Sequence, residues 1–248
     1  MSASFEKGYN ALKEQVDAAD ASFFSSCVHC GMCAEACLFF TETGAPERTP
    51  INKTEPLRRV WKQEYTLLGR IGKIFGLGKK VTDEMLQQWE TLVYDSCTLC
   101  GRCSMVCPVG NDIAGMIRKT REGMAAAGHA PVGLIGATKR AVTIGSPMGV
   151  KLPALQAQIA HVEKDTGMTI PVDVNVADYM LLLSSMEIMY FPEFIEAVAK
   201  IFKHASVSWT ISSEAFEATN SGIQIGVSDI AAELVQRIVD AAAKLKVK

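Results

Sequence analysis

Residues 27–37 read CVHCGMCAEAC and residues 97–107 read CTLCGRCSMVC. Cys27, Cys30, Cys33 and Cys37 repeat the spacing of Cys97, Cys100, Cys103 and Cys107, and these eight are all the cysteines of the chain. The shared run, C-x2-C-x2-C-x3-C, is the one that holds a [4Fe–4S] cube. Three thiolates on a tight loop reach three corners, and the fourth follows one helical turn later. Zinc needs four ligands on one tetrahedral ion and has no use for a third Cys at x2 and a fourth at x3. Disulfides fit poorly too, because nothing in the chain suggests secretion. The reading is two [4Fe–4S] clusters, with all eight cysteines as metal ligands.

In two-cluster proteins with this run, the fourth Cys ligates the other cluster. That rule assigns Cys27, Cys30, Cys33 and Cys107 to one cluster and Cys97, Cys100, Cys103 and Cys37 to the other. The crossing staples two segments that stand 59 residues apart, at 38–96. Gly31 and Gly101 each follow the second Cys, where a positive φ lets amides turn toward the sulfurs. Pro108 follows Cys107, whereas Leu38 follows Cys37, so the chain is expected to leave the two clusters differently. Met32, Met105 and Val106 are expected to form an apolar sleeve around the clusters. His29 is a candidate hydrogen-bond donor to a sulfur. Arg102 is a docking contact or a solvated surface residue.

Working outward, Leu12, Val16, Ala19 and Phe23 predict a helix over Tyr9–Phe24. Residues 38–56, with Gly44, Pro46, Pro50 and Pro56, predict an irregular connection. A helix is expected over Leu57–Ile74, then a glycine break at Gly76–Gly78. Thr82 or Asp83 should cap a helix whose Met85, Leu86, Trp89, Leu92 and Val93 share one face and which runs into Cys97. Asp112 and Gly128 bracket a helix over Ile113–Ala127. Helices thus flank both cysteine loops, and the insert between them argues for an α-helical ferredoxin domain over residues 1–128 rather than a compact β-rich one.

Residues 129–176 are rich in glycine and proline and predict a connecting segment with one helix at Pro153–Lys164. No phosphate-binding glycine motif is present. Residues 177–248 predict a small α/β domain. Tyr179–Leu183 is an apolar run suited to a strand buried on both faces. Pro192 stands at N1 of a helix with Phe194, Ile195, Val198, Ile201 and Phe202 inward. Val207–Ile211 is a second strand, and Ser228 starts a last helix with Ile230, Leu234, Val235, Ile238 and Leu245 inward. β-α-β order implies parallel strands. The fold class is therefore α+β: a helical dicluster domain followed by a small parallel α/β domain.

Composition narrows the function. Of the 248 residues 48% are hydrophobic and 21% charged, and the net charge is −2, which leaves no nucleic-acid footprint. The basic runs at Lys79–Lys80 and at Lys244, Lys246 and Lys248 are solvated faces. No signal peptide or spanning segment is evident, so a cytoplasmic protein without direct membrane insertion is expected. Asp112 and Glu193 are helix-start residues. The histidines at 29, 129, 161 and 204 show no catalytic pairing.

Two cubane motifs split by a helical insert and followed by an α/β segment resemble the iron–sulfur subunits of heterodisulfide reductase. The match is to the C-type component and its fused relatives, which include the iron–sulfur components of glycolate and lactate oxidases. CVHCGMCAEAC and CTLCGRCSMVCPVGNDI carry the resemblance. Residues 177–248 resemble the first half of the cysteine-rich domain found in the catalytic B-type component. That family places a Cys after the first strand and a Cys-Cys pair after the second. Here Ser184-Ser185 and Ala218-Thr219-Asn220 stand instead, and hydroxyls replace thiolates poorly at a soft metal site. The resemblance implies a docking or scaffold role for that half. It also implies partners: a flavoprotein and a catalytic protein with a cysteine-rich domain, joined in a hetero-oligomeric complex. A variant in sulfur-oxidising bacteria adds a lipoate-binding carrier. The expected function is electron relay with no catalysis by this chain. The alternatives are the iron–sulfur component of a 2-hydroxy-acid oxidase, or a redox-sensing or scaffold protein.

Overall fold

The computed structural model describes residues 3–77 and 80–248; Gly78 of the glycine break and Lys79 of the basic run lie outside them. The chain is mostly helical, with a small two-stranded parallel sheet. It forms two compact units. One is built from the described residues through Val132 with Gln224–Val227; the other from Gly133–Ile223 and Ser228–Lys248.

In the first unit, α1 (Ala3–Gln15) lies against the long helix Ile113–Ala127. Two glycines allow the close approach. A Cβ on Gly8 would come within 2.4 Å of Ala127 Cβ, and one on Gly123 within 2.2 Å of Leu12 Cγ. The single helix expected over Tyr9–Phe24 is broken. Asp17 caps α2 (Ala18–Ser26) by accepting from Asp20 N at 2.9 Å, while Asp20 Oδ2 accepts from Asp17 N at 3.1 Å. This reciprocal cap outweighs the apolar period. Ala19, expected inward, is exposed, and Asp20 is buried in its place.

One-turn helices α3 (Met32–Glu35) and α4 (Leu38–Thr41) follow the first loop. The expected irregular stretch 38–56 is more ordered than its composition suggests: after α4 come 3-10 turns at Pro46–Arg48 and Pro50–Thr54. The helix expected over Leu57–Ile74 splits at Thr66 into α5 (Glu55–Tyr65) and α6 (Leu67–Ile74), because Thr66 is extended and its hydroxyl accepts from Gly69 N. On α6, Leu67, Leu68, Ile71, Ile74 and the following Phe75 are exposed. Thr82 caps α7 (Asp83–Glu90). That helix does not run regularly into Cys97; Thr91–Asp95 form one wide π turn first, a distortion common beside functional sites. Then come α8 (Arg102–Met105) and α9 (Ile113–Ala127). Asp112 and Gly128 bracket α9 as expected, with Gly115 N donating to Asp112 Oδ1 at 3.0 Å and Gly128 left-handed.

The stretch expected as a connection carries two helices, α10 (Val132–Ile144) and α11 (Leu152–Thr166). Leu155, Ile159 and Val162 of α11 join the core of the second unit with Leu183, Ile188, Ile195, Trp209 and Ile211. The alternating glycines concealed α10, whose buried positions are only Thr138 and Ala141. The strands β1 (Tyr179–Met180) and β2 (Trp209–Thr210) pair in parallel, Tyr179 opposite Trp209. Single bridges Val172–Ile211 and Leu183–Glu217 extend them. The first strand is shorter than Tyr179–Leu183 and not buried on both faces, since Tyr179 is 56% exposed. α12 (Ser185–Tyr190) and α13 (Pro192–His204) lie between the strands, with Pro192 at the start of α13 as expected. α14 (Ser221–Ile225) and α15 (Ser228–Lys244) end the chain. Leu234 and Leu245 are buried, but Val235, expected inward, is exposed; so is Ile201 of α13.

Candidate metal centre

The two cysteine loops have one backbone. His29 and Gly31 are left-handed at φ 54° and 85°, and Leu99 and Gly101 repeat this at 56° and 77°. Gly31 and Gly101 thus have the positive φ expected of them. The left-handed turn at His29 and Leu99, each just before the second Cys of its run, is costly for a side-chain-bearing residue. It tightens the loop so that three sulfurs face one side. Each loop ends in a one-turn helix, α3 bearing Cys33 and α8 bearing Cys103.

Two cavities lie beside the loops. One, of about 380 Å³, is lined by Cys27, Cys30, Cys33 and Cys107. The other, of about 230 Å³, is lined by Cys97, Cys100, Cys103 and Cys37. Each cavity therefore collects three cysteines from one loop and the last cysteine of the other. All eight thiols are free of disulfides. Among the described residues no three Cys, His, Asp or Glu side chains converge on a single ion. Four sulfurs spread around a cavity suit a polynuclear group, in which each thiolate binds its own iron, better than tetrahedral zinc. The donor set fits: soft thiolates only.

The apolar sleeve is not made as expected. Met32, Met105 and Val106 are exposed, Met105 at 84%, and they line neither cavity. Phe40, Pro46, Ile51, Pro108 and Ile113 line the first cavity, and Ala36, Leu38, Phe39, Pro50 and Ile117 the second. His29 lines the first cavity, and exposed Arg102 the second.

Burial pushes the Cys33 thiol up, Cys27 and Cys30 add to this, and the Ile51 N–H opposes it. Burial also pushes Cys103 up to about 11, with Cys97 adding. Thiols raised in this way would need a bound metal, beyond the protein alone, to be held as thiolates. The Leu99 N–H donates to Cys97 Sγ at 3.5 Å.

The scaffold around the loops uses residues that no motif announces. Asn111, 1% exposed, accepts from Ser26 Oγ at 3.0 Å and donates to Phe23 O at 3.2 Å. Ser104 Oγ donates to Asp112 Oδ1 and accepts from Ala114 N, tying the second loop to α9. The buried Arg121 guanidinium donates to Val93 O, to Cys97 O at 2.6 Å and to Gln224 O, and stacks over Tyr94. Lys53, on the 3-10 turn Pro50–Thr54, is 1% exposed; its ammonium bonds Ser96 O and lies 3.9 Å from Cys37 Sγ. Apart from Asp112, no sequence signal marks these residues, because Asn111, Arg121 and Lys53 act mainly across long chain separations.

In the second unit the segments that follow the two strands meet at the Leu183–Glu217 bridge. Ser184 caps α12. Ser185 Oγ donates to Glu217 Oε1 at 2.6 Å and contacts Ser146 Oγ at 3.1 Å. Hydroxyls and one carboxylate thus stand where the resemblance implies thiolates elsewhere, a hard donor set unsuited to an iron–sulfur site. Of the histidines, His129 lies 2.8 Å from Asp83 Oδ1 and His161 pairs with Asp165 one turn on.

The 4Fe-4S dicluster domain family matches residues 24–111. An "Hdr-like menaquinol oxidoreductase iron-sulfur subunit 2" of Archaeoglobus fulgidus is 24% identical over 173 residues, 68% of this chain and 31% of that protein. An "Hdr-like menaquinol oxidoreductase iron-sulfur subunit" of Archaeoglobus profundus is 30% identical over 95 residues, 38% of this chain and 17% of that protein. The D component of the dihydromethanophenazine:CoB–CoM heterodisulfide reductase of Methanosarcina acetivorans is 25% identical over 234 residues, 87% of this chain and 51% of that one. The chain spans about half or less of the length of these relatives. No solved structure matches it significantly. With a dicluster domain match over its two cysteine loops and relatives of this kind along most of its length, the chain is similar to the iron–sulfur subunits of heterodisulfide reductase-like enzymes.

Proposed function

We propose that the chain holds two [4Fe–4S] clusters, one on Cys27, Cys30, Cys33 and Cys107 and the other on Cys97, Cys100, Cys103 and Cys37. Through them it relays electrons between a flavin-bearing subunit and a catalytic subunit of a hetero-oligomeric complex. The observation that carries this reading is the sorting of eight cysteines into two cavities, three from one loop and one from the other in each. Bound there, the clusters supply one-electron chemistry within a range of about −700 to +450 mV. The chain's own residues do the rest. The thiolates fix the irons, the apolar lining limits water, and the N–H groups of Ile51 and Leu99 offset charge on sulfur.

The strand ends of the second unit carry no thiolate, which supports a docking or scaffold role for that unit and leaves catalysis to a partner. The apolar stripe on α6 supports assembly, since a contiguous exposed patch of this kind marks an interaction surface. The Archaeoglobus relative is named for menaquinol and the Methanosarcina one for dihydromethanophenazine. We propose that any such carrier reacts with a partner and that this chain receives or delivers only the electrons.

The test is anaerobic purification followed by iron and sulfide analysis and optical titration. The expected result is about eight irons per chain and a broad visible shoulder bleached by dithionite. A colourless protein with stoichiometric zinc would overturn the reading. Co-purification of a flavoprotein from the native host tests the partner assignment.

A further inference from the structure

The two cavities differ in charge. Among the described residues lining the first, Glu35 is the one carboxylate, it is exposed, and no Lys or Arg is present. The second is lined by Lys53 and Arg102, with no carboxylate. Arg102 is exposed, so solvent and salt screen it. Lys53 is different. Its side chain is 1% exposed, and its ammonium has for partners the Ser96 carbonyl, the Phe39 ring at 5.4 Å and Cys37 Sγ at 3.9 Å.

A buried ammonium without a carboxylate is costly unless an anion compensates it. The nearest candidate anion here is the sulfur of Cys37. A second buried cation acts on the same cavity: Arg121, 4% exposed, bonds the carbonyl of Cys97. The turn that carries Lys53 also separates the two sites. Ile51 and Asn52 line the first cavity, and Pro50 and Lys53 the second. Lys53 therefore points its charge at the second site, while its neighbours Ile51 and Asn52 border the first.

We infer that Lys53 is a positioning residue for the relay, one that raises the potential of the cluster held by Cys97, Cys100, Cys103 and Cys37 above that of its neighbour and makes it the site where an electron rests. This inference rests on the crossed two-cluster reading. Reduction adds one negative charge to a site. A fixed cation at contact distance in a poorly solvated interior favours that state far more than a screened surface charge does. The first cluster, with no buried cation among the described residues lining its cavity, is the lower-potential partner. Electrons entering there pass downhill to the second, whichever partner supplies them.

The experiment is redox titration, followed by EPR, of the intact two-cluster protein and of Lys53→Met, Lys53→Gln and Lys53→Arg. Iron is counted in each sample. In the neutral variants the higher of the two midpoint potentials falls by at least a tenfold change in its equilibrium constant, about 59 mV for one electron. The lower potential moves much less, and Lys53→Arg stays near the parent. An unchanged pair, an equal shift of both, or a shift confined to the lower one would overturn the inference. Loss of iron from both neutral variants with retention in Lys53→Arg supports charge pairing. Loss from all three variants shows a packing role and overturns it. Failure of the underlying reading is seen separately, as about four irons or none in the parent protein, or, for the crossing, as a cube retained when Cys27, Cys30, Cys33 and Cys37 are all replaced by alanine.

Discussion

Ser26 Oγ donates to Asn111 Oδ1 at 3.0 Å across 85 positions of sequence. Ser26 immediately precedes Cys27, and Asn111 stands four residues beyond Cys107. The bond therefore clamps the entry of the first loop to the exit of the second, at the cavity lined by Cys27, Cys30, Cys33 and Cys107. Asn111 also donates to Phe23 O in the last turn of α2. Asn111→Ala removes both bonds, while Phe23 O keeps Cys27 N and Ser26 Oγ as donors, and is expected to cost about 1 kcal/mol. Chelator should remove iron faster from this variant than from the parent, and it should remove first the cluster that needs Cys107. Equal chelation rates would show that the clamp is unimportant to the metal site.

Arg121 serves the second loop in a comparable way. Its guanidinium reaches three separate carbonyls, on Val93, Cys97 and Gln224. A lysine has one ammonium and no planar fork, so Arg121→Lys should recover only part of what Arg121→Met loses. The full loss is expected to be about 3 kcal/mol, because buried carbonyls are stranded. Tyr94→Phe removes the hydroxyl that donates to Ile225 O at 2.8 Å and should cost about 1 kcal/mol. Anaerobic urea denaturation of the three variants gives the ranking directly.

Lys119 joins Asp17 at 2.8 Å and Asp20 at 2.7 Å, the reciprocal cap that starts α2. Asp20 is 2% exposed, so Lys119→Met strands a buried carboxylate and should cost about 3 kcal/mol near neutrality. The Lys119 hydrogen bond holds the Asp17 carboxyl at about 2, below its ordinary value. Its contribution is present above the ordinary carboxylate value and disappears as pH falls through about 2, and its exposure makes it small. Burial acts to lower the Lys119 pKa, but the hydrogen bonds to Asp17 and Asp20 prevail and raise it. That contribution is present below the ordinary lysine value and is lost as pH rises through the raised one. The stability gap between parent and variant should thus hold steady through neutral and mildly alkaline pH and close above about pH 10.4. A gap that closes at neutral pH would contradict the assignment.

Gly8→Ala tests the packing of α1 on α9. Helix propensity alone favours alanine by about 1 kcal/mol. The new Cβ would stand 2.4 Å from Ala127 Cβ and 2.7 Å from the Gly123 carbonyl. Overpacking against backbone is expected to win and to destabilise by about 2 kcal/mol. A stabilised variant, read by the denaturation midpoint, would show that the helices can separate at little cost.

What the sequence disclosed followed from the range of the interaction involved. The cysteine loops were legible because ligand spacing and the Gly31 and Gly101 turns are local. Asp112 and Gly128 were legible as helix ends for the same reason. The break before α2 was present as the Asp17–Asp20 pair, but the apolar period of Leu12 and Phe23 obscured it. The exposure of Met105 could not be read from composition, since a one-turn helix has no period to show which way a side chain faces. Nothing in the Pro- and Thr-rich connection marks Lys53 as buried. Only the 3-10 turn, with Trp89 Nε1 donating to Asn52 O beside it, carries it inside. The α/β half was legible in strand order and parallel pairing but not in strand length, because the bridges at Val172 and Leu183 depend on distant partners.

The central claim is that each cluster takes its last thiolate from the other loop, and two quadruple variants test it most directly. In the first, Cys27, Cys30, Cys33 and Cys107 are replaced by alanine; in the second, Cys27, Cys30, Cys33 and Cys37. Crossed ligation leaves the first variant a complete set in Cys37, Cys97, Cys100 and Cys103, and the second only three ligands. After anaerobic reconstitution, iron and sulfide analysis with Mössbauer spectroscopy should find one intact cube of about four irons in the first variant and none in the second. An intact cube in the second variant and none in the first would show that each loop ligates its own cluster, and would contradict the account.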